Sequence, residues 1–224
     1  MPRRLPLFPL KVVLFPGAPM PLHVFEPRYR TMLADCLAGD ERFGIVPVVD
    51  GQEDRPPPGA IGCVAHIRAS QTLADGRSNI VVTGESRFIL EEYLDEDVPY
   101  LVGRIGEIHD DDERGLPDEA QAELRRLCTG YLEALHSLND SPPPEIDFPD
   151  DARSLSFQVS AALQLDLDAK LGLLSLRSTR ERVRTLIRVL PVLIADLEER
   201  LQLHVHARGN GKGGRHARLE EDDG

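Results

Sequence analysis

"PLHVFEPRYRTMLADCL", residues 21–37, is the stretch that decides how this chain begins to fold. Its first residues alternate between apolar and polar as in a half-buried strand, and after Pro27 the apolar residues change to helical spacing. Pro27 suits the first helical turn, Glu26 places negative charge beside the positive end of the helix, and Gly39 supplies a C-terminal cap. The predicted apolar stripe is Tyr29, Met32, Leu33, Cys36 and Leu37. We therefore expect a strand that turns directly into a helix, and this helix caps one open end of a small β-barrel.

The residues up to about 110 have the pattern of strands joined by tight turns. In IGCVAHIR, residues 61–68, apolar side chains alternate along the strand, and Asp75 and Gly76 then separate two strand-like runs as in a hairpin. The runs LPLFPL, MPLHVF and FGIVPVV indicate further strands, with prolines at positions that suit edges, strand ends or bulges. We predict a β-rich lobe over residues 1–110.

After residue 110 the apolar period becomes helical. Ser178 and Glu181 form a capping box at the start of the longest helix, and Pro191 predicts a kink within it. The other predicted helices span residues 117–138, 154–163 and 168–175. We predict a helical lobe over residues 111–207 and, because glycines replace apolar periodicity there, a disordered tail over residues 208–224.

Charge and hydropathy exclude several classes of protein. The 224 residues carry a formal net charge of -12, which disfavours binding to phosphate backbones and anionic lipid surfaces. Pro6, Pro9 and Lys11 break the N-terminal apolar run, so no signal peptide is expected. Because no apolar segment approaches the roughly 18 residues that a membrane span needs, a soluble, cytoplasmic protein is expected.

The three cysteines indicate neither a disulfide framework nor a zinc site. Cys36, Cys63 and Cys128 are odd in number, far apart and free of any C-x-x-C pair. Each lies on an apolar face, which predicts three reduced thiols in the core.

Three blocks in order, LPLFPLKVVLFPGAPMPLHVFEPRYRTML, GAIGCVAHI and DGRSNIVVTGESRFIL, resemble the N-terminal substrate-binding domain of the Lon protease family. The helical segment LDLDAKLGLLSLRSTRERVRTLIRVL is similar too, so the resemblance covers roughly residues 5 to 205. It implies an α+β fold, in which a PUA-like β-barrel lobe with a capping helix precedes a helical bundle lobe. It also implies a structural signature at Pro9, Phe15, Pro16, Gly17, Glu26, Pro27, Tyr29, Gly62, Gly84 and Phe88.

The catalytic modules of a Lon protease have no counterpart in this sequence. A phosphate-binding loop needs a glycine-rich turn followed by Lys and Ser or Thr. The nearest candidate, GNGKGG, has Gly213 after Lys212 and no preceding strand. Lys11, Lys170 and Lys212 are the only lysines, and none lies in a motif that resembles the Ser and Lys dyad of the family. We expect neither enzymatic activity nor a cofactor.

Five residues are candidates for binding: His23, Phe25, Arg28, Arg30 and Arg87. His23 alternates with apolar neighbours, so it is either a pocket residue or a strand-face histidine without function. Arg28 and Arg30 lie opposite the apolar stripe of their helix and could recognise an acidic partner, although solvated charge is the ordinary explanation. In the family pattern an Arg precedes an aromatic where Arg87 stands; it pairs with an acidic residue such as Glu26, covers the barrel rim, or contacts a ligand carboxylate.

Two clusters have the residue types of a metal site but not the spacing. His109–Glu113, HDDDE, is a run of consecutive residues that cannot easily converge on one ion, so a solvated hinge is favoured. His204 and His206 point in nearly opposite directions on a helix. No metal site is predicted.

The resemblance favours a non-catalytic module that binds unfolded or degron-bearing polypeptides. One alternative is a regulatory or adaptor protein that binds one specific partner, for example a Lon-type protease. A small-ligand or RNA-binding PUA-like protein, or an enzyme, is the remaining alternative, and the net charge argues against RNA. The sequence leaves the oligomeric state open.

Overall fold

A computed structural model describes residues 3–49, 54–111, 117–142 and 145–210, with side chains described up to residue 203. The strands are β1 (Arg3–Leu10), β2 (Pro19–Val24), β3 (Arg42–Pro47), β4 (Ile61–Thr72), β5 (Ser78–Leu94) and β6 (Leu101–Glu107). The helices are α1 (Pro27–Ala38), α2 (Asp118–Leu138), α3 (Ala152–Ala162), α4 (Leu167–Ser175) and α5 (Thr179–Asn210). The predicted α+β class is confirmed, with α1 between β2 and β3 and the other four helices after the last strand.

The six strands form one mixed sheet that closes on itself. The strand order is β2-β5-β4-β3-β1-β6, and a further pairing of β5 with β6 completes a ring. β1 is parallel to β3, and the other pairings are antiparallel. β2 pairs with β5 alone and lies outside the ring, so one of its sides is an open sheet edge.

The prolines of β1 avoid positions that need two hydrogen-bonded neighbours. Residues 3–7 pair with β6 and residues 7–10 pair with β3. Pro6 therefore lies in a section that pairs only with β6, and Pro9 in a section that pairs only with β3. Because each section has one ladder, a proline nitrogen can face away from it without loss of a bond.

α1 covers the barrel interior, as predicted. Tyr29, Met32, Leu33 and Cys36 join strand residues such as Phe43 in one buried cluster. The prediction for Leu37 was wrong, because this side chain is 41% exposed. Leu37 follows the stripe in helical spacing but lines a concave surface beside the β4–β5 hairpin, together with Thr72 and Ser78.

Two glycines of the expected signature permit close approaches within the barrel. A Cβ atom on Gly84 would lie 2.2 Å from the carbonyl oxygen of Phe15, and the Gly17 N–H donates to the Gly84 carbonyl over 2.8 Å. Gly17 itself has φ +77°, which favours glycine. A Cβ atom on Gly62 would lie 2.5 Å from the Phe88 ring. Gly84 therefore lets the loop before β2 lie against the sheet, and Gly62 lets the Phe88 ring do so.

Contacts divide the chain into two compact units. The first unit comprises residues 1–121 and 148–186, so α3 and α4 group with the barrel. The second comprises residues 122–147 and 187–224, where buried residues of α2 and α5 include Cys128, Tyr131 and Leu190. This grouping differs from a boundary at residue 110, and the predicted lobes 1–110 and 111–207 stay a prediction. The tail from residue 211 lies outside the described residues.

Helix α5 begins as the sequence predicts. The Glu181 N–H donates to the Ser178 hydroxyl over 2.9 Å, which provides the expected N-cap. The helix continues through Pro191 to Asn210. No helix in the described ranges is long and apolar enough to cross a membrane.

The three cysteines are buried free thiols, which confirms the prediction of reduced core residues. Burial raises the pKa of Cys36 and of Cys63 to about 12 and that of Cys128 to about 11. These thiols are therefore protonated at neutral pH.

Candidate functional site

Four of the five candidate binding residues lie together at the corner between β2 and α1. His23 lies near the end of β2 and Phe25 directly follows the strand, and Arg28 and Arg30 occupy the first turn of the helix. Phe25 is 58% exposed, the only aromatic side chain among the large exposed hydrophobic residues of the described ranges. The fifth candidate, Arg87, lies elsewhere and is buried.

The tip of the β4–β5 hairpin lies beside this corner and has a concave surface on each face. In the register, Gln71 opposes Asn79 and Thr72 opposes Ser78. Side chains of successive residues point to opposite faces of a strand. Gln71 and Asn79 therefore line one surface, together with His23, and Thr72 and Ser78 line the other.

The first surface, here called the outer-sheet patch, is lined by residues that include Pro21, His23, Ala69, Gln71, Asn79 and Val81. It encloses about 440 Å³, and its described lining contains no Asp, Glu, Lys or Arg. The His23 Nδ1 atom lies 2.7 Å from Asn79 Oδ1, and the His23 ring stacks on Phe25 with centroids 6.0 Å apart. The patch thus presents apolar surface with a fixed imidazole and an exposed aromatic ring at its end.

The second surface, here called the α1–hairpin groove, is lined by residues that include Arg30, Thr31, Ala34, Leu37, Thr72 and Gly76. It encloses about 630 Å³. The Arg30 guanidinium lies directly on Gly76, where a Cβ atom would be 2.1 Å from Nη2. Leu37, which sequence periodicity placed in the core, instead forms part of this wall.

Arg28 is already engaged by acidic neighbours. Its Nε atom donates to Glu26 over 2.9 Å and its Nη2 atom donates to Asp54 over 2.8 Å. These bonds, that to Asp54 foremost, raise the pKa of Arg28. The guanidinium also lies 4.5 Å from the centre of the Tyr29 ring, and burial raises the pKa of Tyr29 to about 12. Arg28 thus fixes the corner, while Arg30 remains directed at the groove.

Arg87 has a different environment from the one the sequence suggested. Its Nη1 atom donates to the carbonyls of Leu174 and Leu176, each over 2.6 Å, and its Nη2 atom lies 3.1 Å from Asp110. Of the alternatives considered, Arg87 pairs with an acidic residue, but this residue is Asp110, while Glu26 binds Arg28. Desolvation lowers the pKa of Arg87, and Asp110 partly opposes this effect. With 1% of its surface exposed, Arg87 offers a partner no contact in this conformation.

Asp110 is the shared partner of three arginines. Arg153 and Arg182 also bind its carboxylate, over 2.5 and 3.2 Å. Arg182 is as buried as Arg87, and its guanidinium lies 3.9 Å from the centre of the Phe157 ring. Periodicity could not reveal this cluster, because its members come from β5, α3, α5 and the segment after β6.

The residues considered for a metal site do not form one in the described part of the chain. Asp110 and Asp111 are each paired with arginines. Asp112 and Glu113 lie outside the described residues, as do the side chains of His204 and His206.

The open edge of β2 has few hydrogen-bond donors. Pro19 and Pro21 occupy alternate positions, so their nitrogens point to the same side of the strand. A proline is tolerated in a ladder where its nitrogen faces away from the neighbouring strand. His23 is then the single residue of β2 whose N–H can point outward in the same register.

The fold and this corner define a class of protein: a closed mixed β-barrel capped by one helix, extended by helices, with concave surfaces around an exposed strand-to-helix turn. The chain belongs to the family described as the ATP-dependent protease La (LON) substrate-binding domain, whose model matches residues 4–191.

Relatives and solved structures agree with this family. The chain is 30% identical over 209 residues to a Lon protease of Flavobacterium johnsoniae, covering 88% of this chain and 25% of the relative. A Lon protease of Cytophaga hutchinsonii is 25% identical, covering 91% of this chain and 26% of the relative. The chain thus spans about a quarter of the length of these relatives.

A Lon N-terminal domain protein from Xanthomonas campestris has a TM-score of 0.62 and 26% identity, covering 83% of this chain and 98% of that structure. The N-terminal domain of a Mycobacterium avium complex Lon protease has a TM-score of 0.60 and 22% identity, covering 84% of this chain and 98% of that one, and this likeness concerns the fold alone.

Proposed function

We propose that this chain is a non-catalytic module that binds extended or unfolded segments of other polypeptides at the β2–α1 corner. The observation that carries the proposal is the match to a substrate-binding domain family over residues 4–191. The exposed Phe25 and the uncharged outer-sheet patch support this location, because an extended apolar segment needs exposed apolar surface to bury.

The proposed mode of binding is docking of side chains rather than addition of a strand. Strand addition needs alternating N–H and C=O groups along an open edge. The prolines at positions 19 and 21 remove two donors from the open side of β2. Phe25, the His23 ring and Val81 remain available to side chains of a client.

The non-catalytic part of the proposal rests on which region of the relatives is matched. The matched family is the substrate-binding domain, and the chain spans only about a quarter of the Lon proteases. We propose a cytoplasmic location and a Lon-type protease as a partner in the same cell, since the relatives are Lon proteases.

A binding assay tests the proposal. We expect the purified chain to bind a fluorescently labelled unfolded protein and not its native form, with no degradation of casein in parallel. Val81→Ser should weaken binding about tenfold, because interface anchors commonly contribute more than 1 kcal/mol. Val12→Ser is the matched control, since Val12 and Val81 are each 40% exposed and Val12 does not line the patch.

Equal binding of the folded and unfolded forms, or of neither, would contradict the proposal. Degradation of casein would contradict its non-catalytic part. Equal losses in Val81→Ser and Val12→Ser would place the client elsewhere on the molecule.

A further inference from the structure

Arg30 is a cation without a protein partner in the described part of the chain. Its side chain is exposed, makes no hydrogen bond or ion pair with a described residue, and lies against the backbone of Gly76. The contrast with Arg28, two residues earlier, is direct, because Arg28 binds two carboxylates.

The other polar groups around Arg30 are engaged with one another. Asp75, in the same hairpin turn, accepts hydrogen bonds from the backbone and the side chain of Arg77. The Thr31 hydroxyl donates to the Pro27 carbonyl, and the Ser78 hydroxyl lies 3.5 Å from that of Thr72. Arg30 is the single charged residue among the described lining of the groove, in a chain of net charge -12.

The rest of the groove is largely apolar. Leu37 and Ala34 follow Arg30 along the same side of α1 at helical spacing, and Leu33 lines the base. An occupant that reaches the Arg30 guanidinium therefore also contacts apolar surface one to two turns away. The volume of about 630 Å³ falls within the range of roughly 300–1,000 Å³ typical of ligand sites.

We propose that the α1–hairpin groove binds a peptide segment in which a carboxylate lies close to an apolar side chain. The carboxylate binds Arg30 and the apolar side chain packs on Leu37 and Ala34. The inference rests on the proposed function and names the class of client segment that it would select. The carboxylate can belong to Asp or Glu or to a C-terminus, since Arg binds each in the same geometry.

The net negative charge of the chain does not prevent this contact. Repulsion between exposed charges is largely screened beyond about 10 Å at 0.1 M salt. The contact with Arg30 is made at hydrogen-bond distance, where two parallel N–H···O bonds favour the carboxylate. A peptide with several carboxylates would bring some of them within about 10 Å of other acidic residues of a chain with net charge -12, so one carboxylate beside an apolar residue is the favoured composition.

Binding of short labelled peptides tests the inference. The three probes share one apolar sequence. The first has an internal Glu and a C-terminal amide, and the second has Gln instead of Glu and a free C-terminal carboxylate. The third, neutral probe has Gln and a C-terminal amide. We expect each carboxylate form to bind about fivefold more tightly than the neutral form, and about 1 M salt to remove the difference. Comparison of the two carboxylate probes shows whether the groove prefers a side-chain carboxylate or a C-terminal one.

Two variants connect the effect to the groove. Arg30→Gln should bind all three probes with the affinity of the neutral one. Ala34→Glu places a carboxylate four residues after Arg30 on α1, so it should occupy the guanidinium from within the chain and give the same loss. Arg68→Gln and Ala38→Glu are the matched controls, since these exposed positions do not line the groove. Circular dichroism checks that each variant is folded.

The outcomes separate this inference from the proposed function. Equal affinity for all probes, together with selective binding of an unfolded protein, would overturn the inference and leave the proposed function in place. A carboxylate preference that persists in Arg30→Gln would also overturn it. Absence of binding to every probe and to the unfolded protein would overturn both.

Discussion

At the scale of single residues, arginine side chains occur in three different environments in this chain. Arg87 is buried on Asp110, Arg28 is paired at the surface, and Arg30 is exposed without a described partner. Sequence reasoning treated all three as binding candidates, because residue type and helical position are local while a partner is not. Asp110 is far from Arg87 in sequence, and only the fold brings the two together.

The Asp110 cluster predicts a large loss of stability on a small change. Asp110→Asn leaves Arg87 and Arg182 buried without a carboxylate, so the free energy of unfolding should fall by about 3 kcal/mol. Urea denaturation measures this loss. Asp111→Asn is the control: it breaks the exposed pair with Arg177 and should cost less than about 1 kcal/mol. Equal losses in the two variants would show that burial does not govern the cluster.

At the scale of elements, β2 combines an open edge with two prolines. An open edge is a template for pairing with another chain, and proline is one means by which natural sheets prevent this. The prolines therefore keep the β2–α1 corner available for side chains while blocking a continuous backbone ladder. Their position next to the outer-sheet patch relates the protection of this edge against pairing to the proposed mode of binding.

Restoring the missing donors should promote self-association. The double variant Pro19→Val and Pro21→Val supplies two N–H groups on the open side of β2 with residues of high β-propensity. We expect dimers or larger species by size-exclusion chromatography with light scattering, at concentrations where the wild type does not associate further. Pro58→Val, at an exposed loop position, is the control. An unchanged elution profile for the double variant would contradict the interpretation of this edge.

The sequence predicted elements better than it predicted their partners. Alternation and helical periodicity located β1 to β5 and all five helices, because these signals are local. The strand β6, the closure through β5 and the parallel pairing of β1 with β3 depend on residues distant in sequence. For the same reason the hairpin tip, with Asn79 and Val81, did not emerge as part of the candidate site.

At the scale of the whole molecule, the three buried thiols are distributed over both compact units. Cys36 and Cys63 belong to the first unit and Cys128 to the second. Their raised pKa values mean that the folded chain keeps them protonated well above neutral pH. Thiol chemistry can therefore report on the integrity of each unit in one experiment.

We expect all three thiols to resist a disulfide reagent at about pH 8 in the native state and to react in denaturant. Stability should also depend on alkaline pH. The unfolded thiols ionise near their ordinary pKa of 9.0 and the folded ones near 11 to 12. The stability of the folded state that depends on protonated thiols is therefore fully present below pH 9.0 and is lost progressively as the pH rises from 9.0 towards the folded pKa values. A thiol that reacts rapidly in the native state, assigned by mass spectrometry, would contradict the burial described for it.

The 17-residue strand β5 has a consequence for motion within the barrel. It pairs with β2, β4 and β6, so its backbone cannot separate from one neighbour while the others stay in place without straining a continuous strand. Amide protons along its middle should therefore exchange with solvent only in the rare, large openings of the first unit. The hairpin tip at its beginning pairs on one side with β2, which is itself an edge strand, so this section can open in smaller and more frequent events. Slow amide exchange in the middle of β5 and faster exchange at the hairpin tip would then occur along one strand, with both candidate surfaces at the faster end.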